Sequence, residues 1–226
     1  MSPSSRRAPR LRPRPRSSPR LHVVFVPGLG DRWRPLVWLQ RQALRGWRAH
    51  GVCTTLFPVG WSSEARLDDR LEALDALIDT IEARGEQVVL VGASAGAGAV
   101  LAAYARRPEV RAVTIVAAKY HDPAAIPGPV LEHNDLFDES LRTVPTLLER
   151  LGPAERARIL ALRSAKDGVV PDEDTLLAGA VNETMRIVGH VTAIGYALLF
   201  RSRRIVRFAR EAPGPEGPAR SGVART

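Results

Sequence analysis

One cysteine, Cys53, stands in a chain of 226 residues. That count excludes an internal disulfide and any cysteine-based zinc site, and it fits a reducing compartment, so a cytoplasmic protein is expected. Long apolar runs are missing too. Nothing approaches the roughly 18 residues of a membrane-spanning helix, and VTAIGYALLF, near the C-terminus, is short and stops at a basic cluster. No membrane span is expected. Lysine is scarce: Lys119 and Lys166 stand alone among 33 basic residues. This arginine excess reads as nucleotide composition bias and carries no function. Phosphate-binding glycine loops are absent as well. A P-loop needs Gly-Lys-Ser/Thr after its glycines, and neither GLGDRW nor GASAGAGA fits G-x-G-x-x-G.

Acidic residues are missing from residues 1 to 20, a stretch that holds seven of the 33 basic residues. The formal charge of +9 is therefore concentrated there, because the remainder has 26 basic against 24 acidic residues. A segment of Arg, Pro and Ser buries too little to offset the entropy of ordering, so it reads as a disordered tail that binds phosphates weakly at most. No specific nucleic-acid partner is expected, although a reading through this tail and the basic helix end RSRRIVRFAR stays open. The paired arginines of SSRRAPRL lack the following apolar stretch that an export signal needs. The 45% hydrophobic and 25% charged composition suits one soluble globular domain, over 21–211. The Pro- and Gly-rich residues 212–226 read as a second disordered tail.

Within the domain, apolar runs alternate with helical patterns. This order predicts an α/β fold, a mostly parallel sheet of about six strands with helices on both faces. The strands are expected at HVVFV, VCTTLFP, QVVLV, RAVTIVAA, ARILALRS and ETMRIVG, with QVVLV central because it is apolar throughout. RPLVWLQRQALRGWRAHG predicts a helix whose apolar face is Leu36, Leu39, Ala43 and Trp47. The next helix carries Leu67, Leu71, Leu74, Ile78 and Ile81 on one face, and the last is expected from Val191 to Arg210. Between the fourth and fifth strands, five prolines break the helical pattern. That stretch, about 120–155, reads as a short insertion or small cap over a site.

The most informative stretch is EQVVLVGASAGAGAVLAAYARR, where an apolar strand breaks into Gly92-Ala93-Ser94-Ala95-Gly96 at a helix start. This is G-x-S-x-G in the strand-turn-helix context that gives it meaning. The serine is expected in a strained conformation, with glycine at 92 and 96 because side chains there would collide. The following helix turns its free amides and positive dipole end toward Ser94.

A serine hydroxyl needs a base, and the base an orienting carboxylate. Asp167 follows the fifth strand and His190 the sixth, so both fall at the carboxyl edge with Ser94, where ligands gather in open parallel sheets. Asp172 and Asp174 are alternatives for the acid, and His121, after the fourth strand, is the alternative base. The tetrahedral intermediate needs two amide donors. Ala95, next after Ser94, supplies one, and Leu29 in the Pro27-Gly28-Leu29-Gly30 turn supplies the other.

With these residues the chain resembles the α/β-hydrolase superfamily over about residues 22 to 210, as a compact esterase- or lipase-like member. The Pro-Gly-Leu-Gly turn, the G-x-S-x-G elbow, KDGVVP and the Gly-His before the last helix occur in that family's order. Pro27 stands where the family commonly has histidine, which bears on substrate preference and not on the amide donor. The resemblance implies hydrolysis of an ester, thioester or related acyl bond through an acyl-Ser94 intermediate, with no metal or organic cofactor. Other readings are a non-catalytic hydrolase-like binding protein, or cofactor-free acyl transfer or perhydrolysis on the same residues. Arg32, Trp33, Trp61, Tyr120 and His121 are expected at the catalytic edge as substrate-pocket residues, and the short insertion argues for an open pocket and small to medium acyl substrates.

Overall fold

The computed structural model describes residues 19–214 except 124, 125 and 127. Both tails expected to be disordered lie outside the described residues, apart from 19–20 and 212–214. Each apolar run becomes a strand: β1 (Leu21–Val26), β2 (Cys53–Leu56), β3 (Gln87–Ala93), β4 (Ala112–Val116), β5 (Ile159–Lys166) and β6 (Val181–Val188). All neighbours pair parallel, in the order β2-β1-β3-β4-β5-β6.

Period-two alternation divides the strand side chains between two cores. Val24 and Val26 of β1 and Val88 and Leu90 of β3 face one layer, built from helices α2 (Leu67–Glu82), α3 (Gly96–Arg106) and α5 (Asp135–Leu148). Leu21, Val23 and Phe25, with Val89 and Val91, face the other. That layer holds α1 (Arg34–Gly46), α7 (His190–Phe200) and α8 (Ser202–Glu211). Burial on both faces explains why these strands read as continuous apolar runs. Leu67, Leu71, Leu74, Ile78 and Ile81 of α2 are all buried, each contributing about 1.5–3 kcal/mol of hydrophobic stabilisation.

Three expectations are corrected. Helix α1 buries Val37, Gln40 and Leu44, while Leu39 is 56% exposed. The helix is thus one residue out of the expected phase, because polar Gln40 occupies the inward face. The stretch expected as a broken insertion contains two short helices, α4 (Gly128–Glu132) and α6 (Pro153–Arg156), and between them the fourteen-residue α5. Leu136, Phe137, Ser140, Leu141, Val144 and Leu148 of α5 are buried, and it packs on α3 and α2 as part of the helix layer. Pro145 lies inside the helix, the fourth residue from its end, and supplies no N–H to the Leu141 carbonyl. The last helix breaks at Arg201 into α7 and α8. The break frees the Leu198 carbonyl to accept the Trp47 indole N–H at 2.8 Å, and it turns Ile205, Val206, Phe208 and Ala209 of α8 into the core.

Chain direction sets the site. From β1 the chain leaves through α1 on one face, and from β3 through α3 on the other, while β1 and β3 lie side by side. Their carboxyl ends open a crevice at this switch point.

Candidate active site

Ser94 follows β3 with φ +52, a left-handed conformation that a non-glycine residue adopts only under constraint. The constraint is visible: its N–H donates to the Val116 carbonyl at 2.9 Å, and its carbonyl accepts the Ala97 N–H at 2.9 Å and the Lys119 N–H at 3.4 Å. A Cβ on Gly92 would lie 2.5 Å from the Gly96 carbonyl oxygen, and one on Gly96 would overlap the Val26 carbonyl and come within 2.7 Å of that of Pro27. Only glycine fits at either position, which is the physical content of the G-x-S-x-G pattern here.

Across the crevice, His190 is the first residue of α7 and Asp167 follows β5. Asp167 Oδ1 lies 2.9 Å from His190 Nδ1, and His190 Nε2 lies 2.9 Å from Ser94 Oγ. A carboxylate only accepts, so Nδ1 carries the ring proton and Nε2 accepts the Ser94 O–H. The Asp167 side chain is 1% exposed and that of His190 11%. Asp167 Oδ1 also accepts the Val169 and Val170 amides, at 3.1 and 2.9 Å.

Leu29 opens a single 3-10 turn, Leu29–Arg32, at the end of β1. Gly28 brings this turn against the elbow: a Cβ there would meet Ser94 Cβ at 2.9 Å. Among the described residues, neither the Leu29 nor the Ala95 amide has a protein acceptor. Two residues that the sequence did not single out for this role hold the turn. Buried Asp31 accepts the Gly60 N–H on Oδ2 at 2.6 Å, and its Oδ1 has no partner among the described residues. Burial pushes the Asp31 carboxyl above the usual range, opposed in part by the Gly60 amide. Trp61 Nε1 donates to the Pro27 carbonyl at 3.1 Å.

The expected pocket residues part company. Arg32 and Trp33 are exposed, Trp33 by 60%. Trp61 is fully buried and edge-on to Phe137 at 5.9 Å, so it supports the turn from the core and does not line a pocket. Tyr120 is also buried, with its hydroxyl donating to the Leu176 carbonyl at 2.7 Å, and burial followed by the Asp174 charge pushes its phenol up to about 12. His121 is half-buried, edge-on to Tyr120, and its Nε2 lies 3.7 Å from Asp174 Oδ1. Asp174, an alternative acid by sequence, faces Lys119: Oδ2 accepts from the buried Nζ at 2.5 Å. A lysine directly after an apolar strand, in a chain with only one other, was the available signal. A cavity of about 810 Å³ lined by Arg20, Gln87, Arg111 and Arg210 belongs to the opposite edge, where strands begin.

Solved structures share this architecture. The chain aligns with one from the metagenome-derived lipolytic enzymes LipS and LipT at 16% identity and TM-score 0.60, covering 85% of this chain and 94% of that one. It aligns with the esterase domain of a Rhodothermus marinus protein at 21% identity and TM-score 0.60, covering 84% and 85%. Est1E from Butyrivibrio proteoclasticus aligns at 16% identity and TM-score 0.58, covering 87% and 90%. At such identities the likeness shows the fold alone. A search of curated protein sequences finds no match. The model of the alpha/beta hydrolase family matches residues 23–219, and with the six-stranded parallel sheet this makes the chain a member of that family.

Proposed function

We propose that the protein is a serine hydrolase that cleaves a carboxylic ester or related acyl bond through an acyl-Ser94 intermediate. The observation that carries this reading is the unbroken line of hydrogen bonds from Ser94 Oγ through His190 to Asp167, each 2.9 Å long. As Ser94 Oγ attacks the acyl carbonyl carbon, His190 Nε2 takes its proton, and the charge left on the ring is stabilised by Asp167. The carbonyl oxygen becomes an oxyanion held by the Ala95 and Leu29 amides, each such donor being worth roughly 3–4 kcal/mol. Collapse expels the alcohol, which leaves with the proton from His190. Water then repeats the sequence, giving its proton to His190 and its oxygen to the acyl carbon, and Ser94 is restored.

Exposed apolar side chains flank the reacting groups in sequence: Val169 two residues after Asp167, and Val191 next to His190. The acyl portion we propose is of small to medium length. The reading calls on no metal, cofactor or partner chain and takes a small-molecule ester as substrate; the single cysteine supports a cytoplasmic setting for it.

Incubation with a fluorophosphonate followed by peptide mass spectrometry tests it. The adduct is expected on the Ser94 peptide and absent from Ser94→Ala; an unlabelled wild-type protein contradicts the acyl-serine reading. A panel of p-nitrophenyl esters should peak at short to medium chains, and activity rising steadily to long chains overturns the substrate assignment alone.

A further inference from the structure

At the sheet edge opposite Ser94, three neighbouring strands begin: β2, β1 and β3. His22 of β1 is in register with Cys53 of β2, and Glu86 immediately precedes β3. Their side chains converge, so that an imidazole nitrogen, the Cys53 sulfur and a Glu86 carboxylate oxygen all lie within 4.8 Å of one another. His22 is buried, while Cys53 and Glu86 are half-buried, which leaves the cluster open to solvent beside the outer strand.

The proton count at His22 is informative. Its Nε2 faces Thr55 Oγ1 at 2.8 Å and its Nδ1 faces Glu86 Oε2 at 2.7 Å. A neutral imidazole has one N–H. With the proton on Nδ1, the ring donates to Glu86 and accepts the Thr55 hydroxyl. That arrangement satisfies the metal-free cluster, because a carboxylate only accepts; a cation taken up between Nδ1 and the carboxylate moves the ring proton to Nε2, which then donates to Thr55. The second arrangement is that of a metal-bound histidine, whose other nitrogen almost always donates to an oxygen that fixes the ring.

Imidazole, thiolate and carboxylate together suit zinc-class ions, with a fourth position left to water. Tetrahedral bonds of about 2.0–2.3 Å separate donor atoms by roughly 3.3–3.7 Å. His22 and Glu86, 2.7 Å apart, therefore need to part slightly, and Cys53, on the outermost strand, needs to settle at this spacing from within 4.8 Å.

We propose that His22, Cys53 and Glu86 form a site for a zinc-class divalent ion, distinct from the Ser94 site. Binding releases the Cys53 thiol proton to solvent and leaves a thiolate on the metal. The ion fastens the start of edge strand β2 to β1 and β3. Contrary to the expectation that one cysteine excludes any cysteine-based zinc site, the pairing of strands far apart in sequence brings a histidine and a glutamate to Cys53.

Metal-free, tag-free full-length protein titrated with Co²⁺ tests the proposal without reference to activity. One equivalent is expected to produce near-ultraviolet thiolate-to-cobalt charge-transfer absorption, which equimolar Zn²⁺ abolishes. Cys53→Ser should lose the band, and Glu86→Gln should weaken Co²⁺ binding by at least about tenfold, the loss that even an outer-shell partner's removal brings. His22 is buried and its replacement risks the fold, so these two partly exposed positions carry the test. No band at equimolar Co²⁺, or a band that persists in Cys53→Ser, overturns the site.

Discussion

His190 Nδ1 lies 2.9 Å from Asp167 Oδ1, and that same oxygen accepts the Val169 and Val170 amides. One atom thus orients the ring and folds the loop that follows β5. In Asp167→Asn the side-chain carbonyl still accepts the two amides, but the ring no longer has an anion to hold its proton on Nδ1. Turnover should fall by about 10⁴-fold while thermal unfolding stays close to wild type. Asp167→Ala should lose both activity and stability. Initial rates beside calorimetry separate the two, and near-wild-type turnover in Asp167→Asn contradicts the assigned role.

Gly96→Ala drives a methyl group into the Val26 and Pro27 carbonyls, which are backbone and cannot rotate away. A loss of about 1–3 kcal/mol is expected, read as an earlier urea midpoint. Gly195→Ala, inside α7 with nothing within 4 Å of the added carbon, is the control and should gain roughly 0.5–1 kcal/mol.

The buried pair Lys119–Asp174 joins the loop after β4, next to the elbow, to the turn Asp172–Thr175 beyond Asp167. Lys119→Met leaves a buried carboxylate without its cation and should cost about 3–5 kcal/mol. Lys119→Met with Asp174→Leu removes both charges and should recover most of that loss. Urea denaturation of the single and double variants checks this, and additive losses contradict it.

Burial raises the Asp31 carboxyl pKa in the folded protein. Folding then favours the protonated acid, so the stability this group contributes is present below the ordinary carboxyl range and is lost as pH rises through the raised value. Asp31→Asn does not titrate and retains an acceptor for the Gly60 amide. The stability of Asp31→Asn relative to wild type should therefore increase from pH 4 to pH 7, as measured by denaturant unfolding at both. A difference constant across that range contradicts the raised pKa.

What the sequence discloses and conceals follows from the range of the forces involved. The elbow is local: strand, serine and both glycines lie within a few residues, so the pattern and its cause are read together. Asp167 and His190 are legible because each follows a strand end, and a parallel sheet collects strand ends at one edge. The phase of α1 is not legible, since Trp47 is four residues from Ala43 and three from Leu44 and suits either face, while buried Gln40 hides the true one. Helix α5 is masked by Pro145 within it and by the prolines on either side. Lys119 meets Asp174 across 55 residues and His22 meets Glu86 across 64, through strand pairing that no local pattern encodes. Trp61 shows its place at the edge in the sequence, but not that its ring points into the core.

Acylation of Ser94 with His190 as its base is what the proposed chemistry stands on. The most direct test is p-nitrophenyl acetate and butyrate turnover at pH 8 by wild type, Ser94→Ala and His190→Ala, followed from the first milliseconds. A p-nitrophenolate burst of about one equivalent per wild-type chain is expected when deacylation is slower than acylation, with burst and turnover lost in both variants. Turnover that survives in Ser94→Ala, or a wild type with no turnover on either ester, contradicts it.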